Sequence, residues 1–232
     1  MVHRSAVALP VPVRDPTLAG GPIVGPRGED GDVSQPEYAC DPRALWDAEA
    51  ATFDDEPHHS LVDPLMRSVW WDVLEPVVPP PPARVADLGC GTGSLSVLLA
   101  ERGHSVVGVD VSPRMLDRAR SKAAAIGVVA TFVVGDAADP PISPVDVIVT
   151  RHVVWALTDV RVALDRWFSL LSPGGRLVLV EGRWSTGAGI ESAELVPLVE
   201  RPGVTVEVTA LDDPALWGHP LVDSRYVLVA ST

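Results

Sequence analysis

The sequence predicts an α/β domain built on a doubly wound, mostly parallel sheet and preceded by a short helical segment. Three observations carry that expectation. Between residues 85 and 180 short apolar runs alternate with amphipathic helical stretches. The run Val145–Thr150 is almost wholly apolar, as a strand covered on both faces must be. The first apolar run leads through closely spaced glycines straight into a helix.

Residues 1–37 are dense in proline and glycine (Pro10, Pro12, Pro16, Gly20, Gly21, Gly25) and hold no apolar period. They are expected to form a disordered tail. Pro10 and Pro12 also break the short apolar stretch that a secretory signal would need. Residues 38–78 read as a helical cap. Asp41-Pro42 is an N-cap followed by a first-turn proline, and Trp46, Ala50 and Phe53 fall on one helical face. A second helix opens at Asp63-Pro64 with the stripe Leu65, Met66, Val69, Trp70, Val73 and Leu74, and Pro76 closes it. The proline run 79–82 predicts a stiff, extended spacer into the core, residues 79–232.

Within the core, Val85–Leu88 is the first strand and Ser94–Arg102 a helix closed by Gly103. Val106–Val109 is the second strand, and Ser112-Pro113 opens a helix that runs to Ile126. Thr131–Val134 and Val145–Thr150 are strands. Val160–Leu171 is a helix with Val160, Leu164, Trp167 and Phe168 on one face. Ser172-Pro173-Gly174-Gly175 turns into the strand Arg176–Val180. Val204–Thr209 and Tyr226–Val229 have no clear helix between them and are expected to close the sheet as an antiparallel pair.

Composition removes several functions. With 31 Asp+Glu against 18 Lys+Arg, the formal charge is −13, which repels nucleic acid and anionic membranes. No apolar run of about 18 residues is present to span a bilayer. The two cysteines, Cys40 and Cys90, form no disulfide framework, which suits the cytoplasm, and neither has partners at metal-ligand spacing, so a metal-free protein is expected.

The chemistry begins at Asp87-Leu88-Gly89-Cys90-Gly91-Thr92-Gly93, where glycines permit a sharp turn and close backbone approach to a ligand. Asp110 ends the next strand about 20 residues on, where a carboxylate accepts from ribose hydroxyls. Asp136 follows the third strand, placed for an adenine amino group. A dinucleotide fingerprint would need a third glycine at position 94, which is serine, and no GK[ST] marks a P-loop. Asp87 ahead of the loop would repel a pyrophosphate and favour a cationic ligand. An adenosine that bears positive charge satisfies all of these conditions, and S-adenosylmethionine is one.

These segments resemble the class I S-adenosylmethionine-dependent methyltransferases. VADLGCGTGSLSVLLA matches the family's first motif, VVGVDVSPRMLDRAR the ribose-binding segment, and GDAADPPI the adenine side. VDVIVTRHVVWAL and LLSPGGRLVLVEG match its fourth- and fifth-strand regions. The resemblance runs from about Trp46 to the C-terminus. It implies a Rossmann-like sheet of order 3-2-1-4-5-7-6 with strand 7 antiparallel, a small-molecule acceptor, and likeness to capped enzymes of bacterial natural-product pathways. Carried over by position, Gly89, Cys90, Gly91 and Gly93 would wrap the methionine moiety, with Asp87 beneath its ammonium. Asp110 would hold the ribose, Val111 and Met115 would pack near adenine, and Asp136 and Ala137 would meet its amino group. The backbone at Arg151 and His152 would lie beside the methyl donor.

Methyl transfer is an in-line displacement, helped most by alignment and exclusion of water. A general base is needed only when the acceptor keeps its proton. His152, at the carboxyl edge after the fourth strand, is the best-placed base, with packing of its ring as the alternative. His58 and His59 are expected either to contact substrate from the cap or to be solvated loop residues. Arg67 is a candidate for the cofactor carboxylate, and Arg183 for an acidic substrate group, each with simple solvation as its alternative. Trp155 is the preferred pocket wall, whereas Trp46 and Phe53 read more simply as core. No Asn/Asp-Pro-Pro-Tyr/Phe follows the fourth strand and no Pro-Cys is present, which argues against nucleic-acid base methylation. The preferred acceptor atom is oxygen, then nitrogen, then carbon. A non-catalytic cofactor-binding subunit and an NAD-binding Rossmann protein are the competing readings.

Overall fold

A computed structural model describes residues 41–232. The tail expected over 1–37, and the first residues of the cap (38–40), lie outside the described residues. Three helices come first, α1 (Pro42–Glu49), α2 (Pro57–Ser60) and α3 (Pro64–Leu74). There follow β1 (Arg84–Leu88), α4 (Ser94–Glu101), β2 (Ser105–Asp110), α5 (Pro113–Ile126), β3 (Thr131–Val134) and β4 (Val145–Arg151). The chain ends with α6 (Val160–Ser169), β5 (Leu171–Arg183), α7 (Ser192–Val199), β6 (Thr205–Ala210) and β7 (Ser224–Ser231).

The strands form one seven-stranded sheet of order β3-β2-β1-β4-β5-β7-β6. β7 runs antiparallel to both of its neighbours, and the remaining pairs are parallel. This is the Rossmann-like methyltransferase topology. β1 lies between β2 and β4, where the strand order reverses, so a crevice is expected outside their carboxyl ends.

The period-two rule divides the core cleanly. Val85, Val147, Val149, Val178, Val180 and Val227 point to the face covered by α3 and α4. Their neighbours Ala86, Ile148, Leu177, Leu179, Tyr226 and Leu228 point to the face covered by α6 and α7. By the same parity Asp87, Arg151 and Arg225 belong to the first face and Glu181 to the second, and that assignment determines what each can meet.

Residues 41–78 share this core. Trp70 and Leu74 of α3 are fully buried beside Val85, Leu98 and Val147, and each such side chain contributes about 2 kcal/mol. The Asp63 carboxylate caps α3 by accepting from the Met66 N–H at 2.9 Å. Leu65, expected in the apolar stripe, is instead 69% exposed.

Two further expectations are corrected. α1 stops at Glu49, and Phe53 lies outside it in a 3₁₀ turn, Phe53–Asp55. The Asp54 carboxylate accepts from the Thr92 hydroxyl at 2.6 Å, so a tertiary contact overrides the helical period. α7 was not foreseen, because Pro197 interrupts its pattern and only Leu195 and Val199 are buried. The Glu191 N–H donates to the Glu194 carboxylate at 2.9 Å at its start.

Candidate active site

The glycine turn follows β1 with φ of 66° at Gly89, 54° at Gly91 and 77° at Gly93, values that an L side chain resists. Space is as restrictive as torsion. A Cβ on Gly89 would lie 2.5 Å from Val153 Cγ2, and one on Gly93 would lie 2.7 Å from Ala119 Cβ. Asp110, at the end of β2, fixes the turn: its carboxylate accepts from the N–H groups of Gly91 and Ser112, both at 2.8 Å. Burial raises its pKa against those bonds. Met115 is buried beneath the start of α5 and Val111 is half-buried. Asp136 is exposed and accepts from the Ala138 N–H at 2.8 Å, while the Ala137 carbonyl accepts from Trp167 Nε1 at 2.7 Å. Cys90 turns its thiol toward Gly108, and burial holds that thiol well above its ordinary pKa.

Asp87 and Arg151 bring opposite charges to this turn. Asp87, at the end of β1, is 2% exposed and accepts from the Ser96 hydroxyl at 2.6 Å, and burial raises its carboxyl to about 6. Arg151 ends β4, which pairs with β1. Its guanidinium donates to the His58 carbonyl at 2.7 Å and lies 5.0 Å from the Trp70 ring. Burial lowers it to about 10, opposed by the fields of Asp87 and Asp54, so it remains charged at neutral pH. Among the described residues no carboxylate stands within ion-pair distance of it.

The 53–60 segment covers the turn. The Phe53 ring comes within 3.4 Å of where a Gly91 Cβ would be, and the His59 ring stacks on Phe53 at 4.2 Å. Trp46 meets Phe53 edge-on at 6.3 Å. Lys122 Nζ ties the segment down, donating to Asp54 (3.1 Å), Thr92 Oγ1 (3.0 Å), Ser94 Oγ (2.7 Å) and the Ser60 carbonyl (3.3 Å). His59 Nδ1 is 3.0 Å from the Phe53 carbonyl and so carries the proton there. Burial lowers His59 to about 4 and His58 to about 2, and the buried His58 Nδ1 has no partner.

Beyond β4, His152 adopts φ 60°. Its ring stacks on Trp217 at 5.7 Å and meets Trp184 edge-on at 5.1 Å, and its carbonyl accepts from Trp155 Nε1 at 3.0 Å. Trp155 and Trp184 are 5.3 Å apart, so Trp155 does form part of an aromatic wall. Burial first, then the charges of Arg225 and Arg151, hold His152 well below its ordinary pKa. A ring kept neutral in this way is a weaker base than an ordinary histidine. Glu181 anchors the loop from the opposite face. Its Oε1 accepts from the Val153 and Val154 N–H groups at 2.8 and 2.7 Å, Oε2 is buried without a partner, and burial pushes the carboxyl to about 8.

Two expected residues are engaged by carboxylates of the chain itself. Arg67 pairs with Glu101 at the far end of α4 and donates to the Leu61 carbonyl. Because α4 runs away from the glycine turn at about 1.5 Å per residue, the Glu101 partner draws the Arg67 guanidinium toward the far end of that helix. Arg183 sits at the carboxyl end of β5 but is held by Glu194, with Glu191 at 3.9 Å. Lys122, Trp217 and Arg225 escaped sequence reasoning. Lys122 carried one usable signal, as the only lysine of the chain. Trp217 and Arg225 lie outside every motif.

Among the described residues, no group of three or more His, Cys, Asp or Glu could hold a metal ion, and no helix is long and apolar enough to cross a membrane.

A glycine turn at the switch point, flanked by Asp87, Asp110 and Asp136, is the arrangement of a nucleoside-binding α/β domain, and residues 85–175 match the methyltransferase domain family. Residues 85–175 thus form a methyltransferase domain, on a sheet whose order is the one the resemblance to class I S-adenosylmethionine-dependent methyltransferases implies. The tRNA 5-carboxymethoxyuridine methyltransferase of Escherichia coli is 36% identical over 124 residues, 50% of this chain and 48% of that protein. The demethylmenaquinone methyltransferase of Thermus thermophilus is 39% identical over 104 residues, 43% of this chain and 47% of that protein. The chain thus spans about half the length of these curated relatives. In fold it is similar to the N-methyltransferase NodS of Bradyrhizobium japonicum, solved with S-adenosyl-L-homocysteine, with TM-score 0.63, 20% identity and coverage of 82% of this chain and 97% of that one.

Proposed function

We propose that this protein is a cytoplasmic methyltransferase that binds S-adenosylmethionine at the glycine turn and methylates an oxygen, or less favourably a nitrogen, of a small molecule. The observation that carries the reading is the presence of opposite charges, buried Asp87 and half-buried Arg151, beside a turn that admits no side chain. Asp87 would hold an ammonium and Arg151 a carboxylate, the two ends of an amino-acid zwitterion. Asp110 keeps lone pairs for ribose hydroxyls, and Asp136 is free to accept from adenine. Bound there, the cofactor supplies an electrophilic methyl on a sulfonium: as the acceptor's lone pair forms the new bond to carbon, the carbon–sulfur bond breaks and its electrons remain on a neutral thioether.

The chain's own contribution is alignment and exclusion of water. Phe53 and His59 cover the turn, Lys122 holds them there, and Trp155, Trp184 and Trp217 supply flat apolar walls for an acceptor. One relative is named for a tRNA substrate, but a chain of net charge −13 lacks the basic surface a polyanion needs. Cys90 is a free, half-buried thiol, in keeping with a reducing compartment.

Calorimetric titration with S-adenosylhomocysteine and, separately, NAD tests the reading. Saturable binding of the first and none of the second is expected. Binding of NAD alone would overturn it.

A further inference from the structure

Arg225 opens β7, and because β7 is antiparallel that end lies at the carboxyl edge, beside Gly182 of β5. It is 5% exposed and doubly bonded to Asp223, with Nε to Oδ1 at 3.0 Å and Nη2 to Oδ2 at 3.1 Å. Trp217 and Trp184 flank the guanidinium at 4.8 and 5.2 Å. So fixed, it directs its remaining nitrogen, Nη1, at His152 Nε2, 3.4 Å away. A guanidinium can only donate, so Nε2 must accept, and the single proton of a neutral imidazole then resides on Nδ1.

We propose that Arg225 is a positioning residue that fixes His152 as a neutral Nδ1–H hydrogen-bond donor toward the acceptor side of the site. This rests on reading the carboxyl edge as the methyl-transfer site, and it reverses the role that an unpaired histidine there would have. The surroundings agree from every packed element. α2 brings His58 and His59, β4 brings Arg151, β7 brings Arg225, and the loop after β5 brings Trp184. The Asp223 carboxylate is occupied by Arg225. The charged groups that face His152 are therefore cations, none of which favours an imidazolium. With His58 and His59 also held neutral by burial, these rings offer no base to take a proton from a neutral alcohol. The acceptor class that fits is one that brings its nucleophile already free of its proton, such as a phenolate, enolate or carboxylate, with the Nδ1–H available to hold an oxygen of it.

Long-range proton–nitrogen correlation spectra of the full chain, labelled with ¹⁵N at histidine, test the assignment without any ligand. His152→Asn identifies the signals and suits the positive φ at that position. The wild type is expected to show a protonated Nδ1 and an unprotonated Nε2, unchanged from pH 5 to 8. Arg225→Met should release the ring, which then carries its proton on Nε2 or titrates with a midpoint raised by at least one pH unit. If that variant does not fold, Arg225→Lys, which keeps charge but not the planar fork, should show a mixture of tautomers. A wild-type ring protonated on Nε2, or titrating above pH 6, would overturn the proposal, as would an Arg225 variant with the wild-type spectrum. Loss of the methyl-donor reading shows separately, as absence of heat with S-adenosylhomocysteine.

Discussion

At the β1–β2–β3 end of the carboxyl edge the candidate ligand groups come from residues 87–136, each on or just after a strand end that a local pattern marks. At the β4–β5–β7 end, His58, His152, Trp184, Trp217 and Arg225 converge from five separate segments, through contacts such as Arg225 with His152, 73 positions apart. The first region is a motif and the second is an assembly. A motif can be read from spacing, because each acid sits where its strand stops. An assembly exists only after the sheet places β7 beside β5.

The contrast predicts where damage is greatest. Asp110→Asn sets an amide against one of two backbone N–H donors and disorganises the turn. Affinity for S-adenosylhomocysteine should fall about 100-fold, roughly 3 kcal/mol, by calorimetry.

Glu181 tests the assembly through stability. Burial pushes its carboxyl to about 8 when folded, against an ordinary value of 4.5. The unfolded chain therefore releases this proton first, and the native state loses stability as pH rises from about 4.5 through 8. Glu181→Gln keeps an acceptor for the Val153 and Val154 N–H groups but has no proton to lose. Denaturant unfolding at pH 5 and pH 8 should show the wild type losing about 3–4 kcal/mol more than the variant.

Lys122 joins the 53–60 segment to the glycine turn. Lys122→Met should weaken S-adenosylhomocysteine binding about 10-fold, and hydrogen exchange should quicken at residues 53–60 and not at α6. The smallest effect is expected at Arg67, which was a cofactor candidate by sequence. Arg67→Ala should leave affinity within about twofold and cost less than about 1 kcal/mol of stability, because its Glu101 bridge is partly solvated and remote from the turn.

Legibility in the sequence followed the same division. The strands before β6, the glycine turn and its three acids were legible because strand ends and turn residues are local properties, whereas the strand order followed only from the family resemblance. Phe53 was misplaced because Asp54 is claimed by Thr92, a contact 38 positions away. The partners of Arg67 and Arg183 were not legible: Glu101 lies 34 positions from Arg67, and Glu191 and Glu194 open a helix that Pro197 disguised. His152 was placed at the right edge, but its chemistry is set by a β7 residue that no pattern connects to it.

The central claim is that Asp87 and Arg151 together hold an amino-acid zwitterion beside the glycine turn. Calorimetry comparing S-adenosylhomocysteine with 5′-methylthioadenosine, which lacks that moiety, in wild type and Arg151→Met tests it directly. The account predicts that the wild type binds S-adenosylhomocysteine at least 30-fold more tightly, a difference of about 2 kcal/mol, and that the variant loses most of this preference. Equal affinities in the wild type, or a preference that survives intact in the variant, would contradict it.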